Sequence, residues 1–305
     1  SCVKTRNTPN ILHACGGVGF LDWFEQRKGQ IIMVEDNKQT GMARRSFLLY
    51  SCAAALSLAT SSVRAQRAWG AGDSDFYSLN RDRFVASFEG DASSVQTRLI
   101  AGANPDTARS LCIEAREEFE KLLPGLPYIG GDNHPGTKWL LLAGHWLAFF
   151  RPMTARGYST QEIARLMYDL YVEHLNTLPV DEMKKKGERR FSESYIQALK
   201  KQSDAKARFN EYDWVSNFVQ GNGHDFDYGY DYLHCPCSEY FKTHGAAQLA
   251  PYFCLLDFPE HRLMGTGLTR TKTLALGDSV CDFRFKKGRQ VLQDWSTEVP
   301  RFRLT

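Results

Sequence analysis

"YDWVSNFVQGNGHDFDYGYDYLHCPC", Tyr212 to Cys237, is where the periodicity of this chain changes. Within it Phe226, Tyr228, Tyr230 and Tyr232 alternate with Asp225, Asp227, Gly229 and Asp231. A period of two is that of a strand with one buried face. Gly221-Asn222-Gly223 supplies the turn chemistry of a hairpin. The stretch predicts antiparallel strands with one aromatic and one acidic face. Tyr228 and Tyr230 on the aromatic face either line a ligand pocket or pack against a helix.

Upstream, from about 75 to 205, the pattern is helical. Asn104-Pro105 opens a helix in which Ala108, Leu111, Cys112, Ala115, Phe119 and Leu122 share a stripe, so Cys112 reads as a core residue. "TKWLLLAGHWLAFF" is apolar nearly all round and predicts a central buried helix, with His145 a hydrogen-bonded core histidine. Ser159-Thr160-Gln161-Glu162 is a capping box before an amphipathic helix that stops ahead of Pro179. One further polar helix is expected over 181–205. Downstream, Pro236 suits the first turn of a helix ending at Gly245. A second short helix passes through Leu249, Tyr252 and Phe253. "TRTKTLALGDSVCDFRF", Thr269 to Phe285, predicts a closing hairpin about Gly277-Asp278. The fold class expected is α+β, a helical N-terminal half packed on a small, mostly antiparallel sheet with a C-terminal hairpin.

The 305 residues are 43% hydrophobic and 24% charged, enough for a real core. A net charge of +3, with no arginine-rich arm or zinc-finger spacing, argues against nucleic acid as a partner. Arg44-Arg45-Ser46-Phe47-Leu48 resembles a twin-arginine export signal, and the apolar run Phe47 to Ala59 has 13 residues. That is short of the roughly 20 residues a bilayer span requires but fits a signal peptide. Val63-Arg64-Ala65 offers a cleavage site. Residues 1–41 therefore read as a leader or non-native extension, 42–65 as the signal, and 66–305 as a single domain, with its helical part at 75–205 and its sheet-containing part at 210–290. Export machinery is an expected partner, and the periplasm or exterior the expected location.

Eight cysteines are present, of which Cys112, Cys235, Cys237, Cys254 and Cys281 follow the cleavage site. Cys281 shares one strand face with Phe283 and Phe285, an apolar setting that raises a thiol's pKa, and it reads as structural or pocket lining rather than catalytic. Cys235 precedes Pro236 at an expected helix N-cap, where unpaired N–H groups favour a thiolate. His234 is adjacent and His224 sits across the turn, so a base is available; an inert cap is the other reading. His234, Cys235 and Cys237 with Cys254 or Cys281 offer soft metal ligands, but no paired C-x-x-C spacing supports zinc, and no metal or cofactor is expected. Among the basic residues near the last hairpin, Arg270 and Arg284 are the candidates for clamping a carboxylate.

Cys235-Pro236, the segment Pro251 to Asp257 ("PYFCLLD") and Arg270 to Phe285 ("RTKTLALGDSVCDFRF") together resemble the C-terminal signature of the L-2-amino-thiazoline-4-carboxylic acid hydrolase family. The resemblance implies ring opening of a cyclic isothiourea acid to N-carbamoyl-L-cysteine. It implies Cys235 as nucleophile with His234 or Asp257 moving protons, or water attack assisted by Asp257 alone. Arg270 would hold the substrate carboxylate, with Cys254 and Cys281 beside it. The same ending is similar to small-molecule sensor domains of the vinyl-reductase type, but Arg270 and Thr273 stand where those place zinc ligands. That leaves an exported, non-catalytic small-molecule or metal binder as the alternative. Amino-terminal sequencing of the native protein is expected to begin near Gln66, and residues ahead of Met33 would overturn the leader reading.

Overall fold

The computed structural model describes residues 75–302 apart from 101, 103 and 205–211. The leader and signal segments lie outside the described residues. Four long helices form the first layer: α1 (Arg81–Ile100), α2 (Pro105–Leu122), α3 (Thr137–Ala155) and α4 (Thr160–Thr177). α2 starts where the sequence requires it, with Asn104 accepting from the Asp106 N–H at 2.8 Å and Pro105 in the first turn. Ser159 and Glu162 close the expected capping box at α4. α3 is buried along most of its length and packs on α2, α4 and the later helix at Pro236. Phe88, Phe119 and Phe149 stack at 4.8 and 5.0 Å around His145, whose Nδ1 meets Asp91 at 2.7 Å. Each fully buried ring contributes roughly 1.5–3 kcal/mol. Among the described residues no helix is long and apolar enough to cross a membrane.

The polar region after Pro179 departs from expectation. It forms two helices, α5 (Val180–Arg189) and α6 (Glu193–Asp204), because Ser192 breaks the run. Its hydroxyl donates to the Arg189 carbonyl and accepts from the Tyr195 N–H, ending one helix and capping the next. α5 lies against a helix that the sequence reading missed, α8 (Asp257–Met264), which tolerates Pro259 because the proline sits in its first turn.

The sheet has the order β1 (Val215–Gln220), β2 (Tyr228–His234), β3 (Cys281–Phe285), antiparallel throughout. Tyr228 pairs with Phe285 and Tyr230 with Phe283, ring on ring at 5.0 and 5.2 Å, so the aromatic face is one continuous layer. Phe226 falls in the turn, where Asn222 accepts from the N–H groups of His224 and Asp225. α7 (Pro236–Thr243) follows β2 directly.

The closing hairpin is only half a hairpin. Thr269 bridges Arg284, but the rest of the first arm makes no strand. Side chains replace the ladder there: Asp282 accepts from the N–H groups of Thr271 and Lys272, Asp278 from that of Thr273, and the Cys281 sulfur from that of Leu274. Gly277 takes φ 90°, as expected of the turn.

Gly187 sets how closely α5 approaches α8: a Cβ there would stand 1.9 Å from the Met264 carbonyl oxygen. Backbone cannot yield as a side-chain tip can. Gly187→Ala is expected to destabilise the protein by about 1–3 kcal/mol, read as a melting temperature lower by roughly 2–12 °C. An unchanged melting temperature would contradict the close contact.

Candidate functional site

A cavity of about 500 Å³ opens between the aromatic face of the sheet, α5 and α6 on one side, and α7 and α8 on the other. That is the size of a small-molecule site. Tyr230, Tyr232 and Phe283 give it an apolar floor, and Cys235, Cys237, Cys254 and Cys281 all reach its wall. All four thiols are free.

Their environments differ. Burial pushes Cys281 up to about 12, and Cys237 and Cys254 well above the ordinary thiol value. Cys235 goes the other way. It occupies the N-cap of α7 in extended backbone (φ −130°, ψ 110°). The Cys237 thiol lowers its pKa first, opposed by burial and aided by the Ser238 and Cys237 N–H groups.

Asp257 begins α8 and also faces the cavity. Burial raises its pKa while Arg270, 2.5 Å away, pulls it down. The other terminal nitrogen of Arg270 donates to the Cys254 carbonyl at 2.9 Å, and its guanidinium lies against the rings of Phe258 and Phe283. Two further groups on the wall went unread in the sequence. Glu260 is held below the usual carboxylate range despite its burial, because Lys138 and Lys186 flank it. His261 is 5% exposed and burial depresses its pKa well below normal. Its Nδ1 meets the Thr266 hydroxyl at 2.7 Å, and that hydroxyl in turn donates to the His261 carbonyl. With the hydroxyl proton on that carbonyl, at 3.4 Å, the neutral ring carries its proton on Nδ1 and leaves Nε2 as an acceptor. His134 at the mouth is the opposite case: Nδ1 accepts from the Gly136 N–H and Nε2 faces Asp213 at 3.3 Å, so both nitrogens are occupied.

Of the residues singled out in the sequence, Cys235, Cys254, Cys281, Asp257, Arg270 and Tyr230 line one cavity. His234, Tyr228 and Arg284 are not on its wall. A bulge between Val215 and Ser216 turns the end of β2, and His234 Nδ1 bonds the Asp213 carbonyl at 2.9 Å. Tyr228 is buried beneath Phe191 and Tyr195, beyond the cavity floor. Arg284 lies on the reverse face of the sheet, paired with Asp231 at 2.8 Å. His224 sits in the exposed turn, its side chain 92% accessible. The soft-metal arrangement also fails: among the described residues no group of three or more His, Cys, Asp or Glu converges to hold a metal ion.

Fold and cavity together define an α+β protein with a thiol-lined small-molecule site. Residues 143–285, just under half of the chain, match the family described as L-2-amino-thiazoline-4-carboxylic acid hydrolase. The match runs from within α3 to the end of β3 and includes every wall residue named above except Lys138, His134 and Gly136. It supports a hydrolase role in general. Neither a curated protein nor a solved structure matches the chain.

His261 is neutral in the fold and titrates near pH 6.5 once unfolded. The unfolded chain therefore binds more protons below that pH, and stability falls as pH drops. Glu260, depressed in the fold, adds to the loss nearer pH 4. The melting temperature is expected to fall between pH 7 and 5, with a smaller slope in His261→Asn; equal slopes would remove His261 as the cause.

Proposed function

We propose that the cavity hydrolyses a small cyclic amidine or isothiourea acid, with 2-amino-thiazoline-4-carboxylate opened to N-carbamoyl-L-cysteine as the type reaction. One observation carries the reading: of four thiols on the wall, Cys235 alone is held below the ordinary thiol value. The thiolate is the nucleophilic form.

The Cys235 sulfur adds to the carbon between the ring sulfur and nitrogen. The bond from that carbon to the ring sulfur then breaks, and the departing sulfur takes a proton. An S-substituted isothiourea on Cys235 results. Water adds to the same carbon, the Cys235 sulfur leaves, and a urea carbonyl remains. The net change is addition of one water. The departing sulfur takes its proton from solvent water, while Asp257 stays the ionised partner of Arg270 beside the reacting atoms. His261, neutral and on the same wall, accepts one from the attacking water. His234 takes no part in this scheme, because it is not on the cavity wall and its Nδ1 is bound to the Asp213 carbonyl.

The test is thiol release from 2-amino-thiazoline-4-carboxylate by the full chain. Cys235→Ser is expected to reduce it by about 10³-fold or more. Release that survives the substitution would move the chemistry to water activated at Asp257 or His261. No release from folded protein would favour the non-catalytic binder. A second measurement reads the thiol directly. Alkylation of Cys235 by iodoacetamide should show a pH midpoint below the roughly 8.5 of a free cysteine, and Cys237→Ala should raise it. A midpoint at or above the free value would remove the thiolate from the scheme.

A further inference from the structure

We infer that Arg190 is the cavity's anion subsite, the group that receives a substrate carboxylate, and that Tyr230 orients it. The inference rests on the reading of this cavity as the place where a carboxylate-bearing amidine binds.

The argument is one of charge and hydrogen bonds left over. The wall carries four cations, Lys138, Lys186, Arg190 and Arg270, and three carboxylates, Asp213, Asp257 and Glu260. Arg270 is paired with Asp257, and both lysines meet Glu260. Asp213 is engaged by His134 and by the Trp214 N–H at 2.7 Å. Arg190 forms no ion pair among the described residues. Its protein partners are neutral phenols: Nη2 donates to the Tyr230 hydroxyl, long at 3.3 Å, and the Tyr228 hydroxyl interacts with the same guanidinium. Its Nε is buried with no acceptor.

The guanidinium is nonetheless held in place. It lies over the rings of Tyr195 at 5.3 Å and Phe285 at 5.4 Å. These contacts fix the plane without neutralising the charge. A cation kept partly desolvated and unpaired is costly for a fold to maintain. A planar fork with unused donors, facing a cavity, matches a carboxylate in two-point geometry. The Arg270 clamp expected from the sequence is the weaker candidate by the same reasoning, since Asp257 already neutralises its charge and each terminal nitrogen already makes one bond.

The experiment measures equilibrium binding of two probes, 2-amino-thiazoline-4-carboxylate and its 4-carboxamide, to the full chain carrying Cys235→Ser, which suppresses turnover. The acid should bind more tightly than the amide. Adding Arg190→Met should weaken the acid by roughly 10- to 100-fold and leave the amide unchanged, while Arg190→Lys, a charge without a fork, should fall between. Arg190→Met should also leave the melting temperature unchanged or raised, because an unpaired buried charge has been removed. Equal loss of both probes together with a lower melting temperature would make Arg190 structural and overturn the inference. So would an acid affinity that Arg190→Met does not alter, or failure of the acid to bind. Thiol release by the parent chain separates the two proposals. Arg190-dependent preference for the acid without release leaves the anion subsite standing and the hydrolysis scheme fallen. Release with a KM for the acid unmoved by Arg190→Met does the reverse.

Discussion

The buried pair between Arg270 and Asp257 joins the parts on which the cavity depends. Arg270 follows the loop after α8 and leads into β3, whereas Asp257 is the first residue of α8. At 2.5 Å they fasten that helix to the segment running into the sheet, and the second donor of Arg270 reaches the Cys254 carbonyl. The Arg270 backbone is pinned as well, since its N–H and carbonyl both bond the Gln293 side chain. Phe258 and Phe283 cover the two sides of the guanidinium, so one side chain touches the helix, the strand and the cysteine turn at once. Removing either partner would leave an unpaired buried charge, which typically costs about 3–5 kcal/mol.

That tie explains why "PYFCLLD" and "RTKTLALGDSVCDFRF" stand out together in the sequence. The aspartate of the first and the arginine of the second are the two ends of a single interaction. Cys254 and Cys281, one in each segment, are then carried to the same cavity wall. The signature residues thus do two jobs that sequence reading cannot separate. Arg270 looks like a substrate clamp on paper and serves as a fastening in the fold.

What could be read in advance was local. Asn104-Pro105, Ser159 with Glu162, and Cys235-Pro236 each declare a helix start through chemistry within a few residues, and the alternation from Tyr228 to Tyr232 declares a strand. The α+β class and the position of Cys235 follow from these. What could not be read depends on contacts between distant segments. Arg190 belongs to a run, "KKKGERR", with every mark of a solvated helix end, and only the approach of Gly187 to Met264 turns that end toward the cavity. His261 sits in a helix preceded by Leu256, which offers no side-chain cap to announce its start. The first arm of the last hairpin alternates like a strand, but Asp278, Cys281 and Asp282 take its N–H groups before a neighbouring strand can.

The cavity's chemistry follows from unequal treatment of equal residue types. Four cysteines share a wall, and desolvation makes three of them poor nucleophiles. The fourth escapes because it sits between a strand and a helix, where the Cys237 thiol first and the Ser238 and Cys237 N–H groups after it favour its charged form. Two arginines share the same cavity, and one is neutralised by a carboxylate while the other is flanked by phenol rings. In each case backbone topology decides which member is available to a ligand. The thiol at the start of α7 and the guanidinium just past the end of α5 both line the cavity whose floor is aromatic. A substrate that engages both must present an electrophilic carbon and an anion at separate points, as a cyclic amidine acid does.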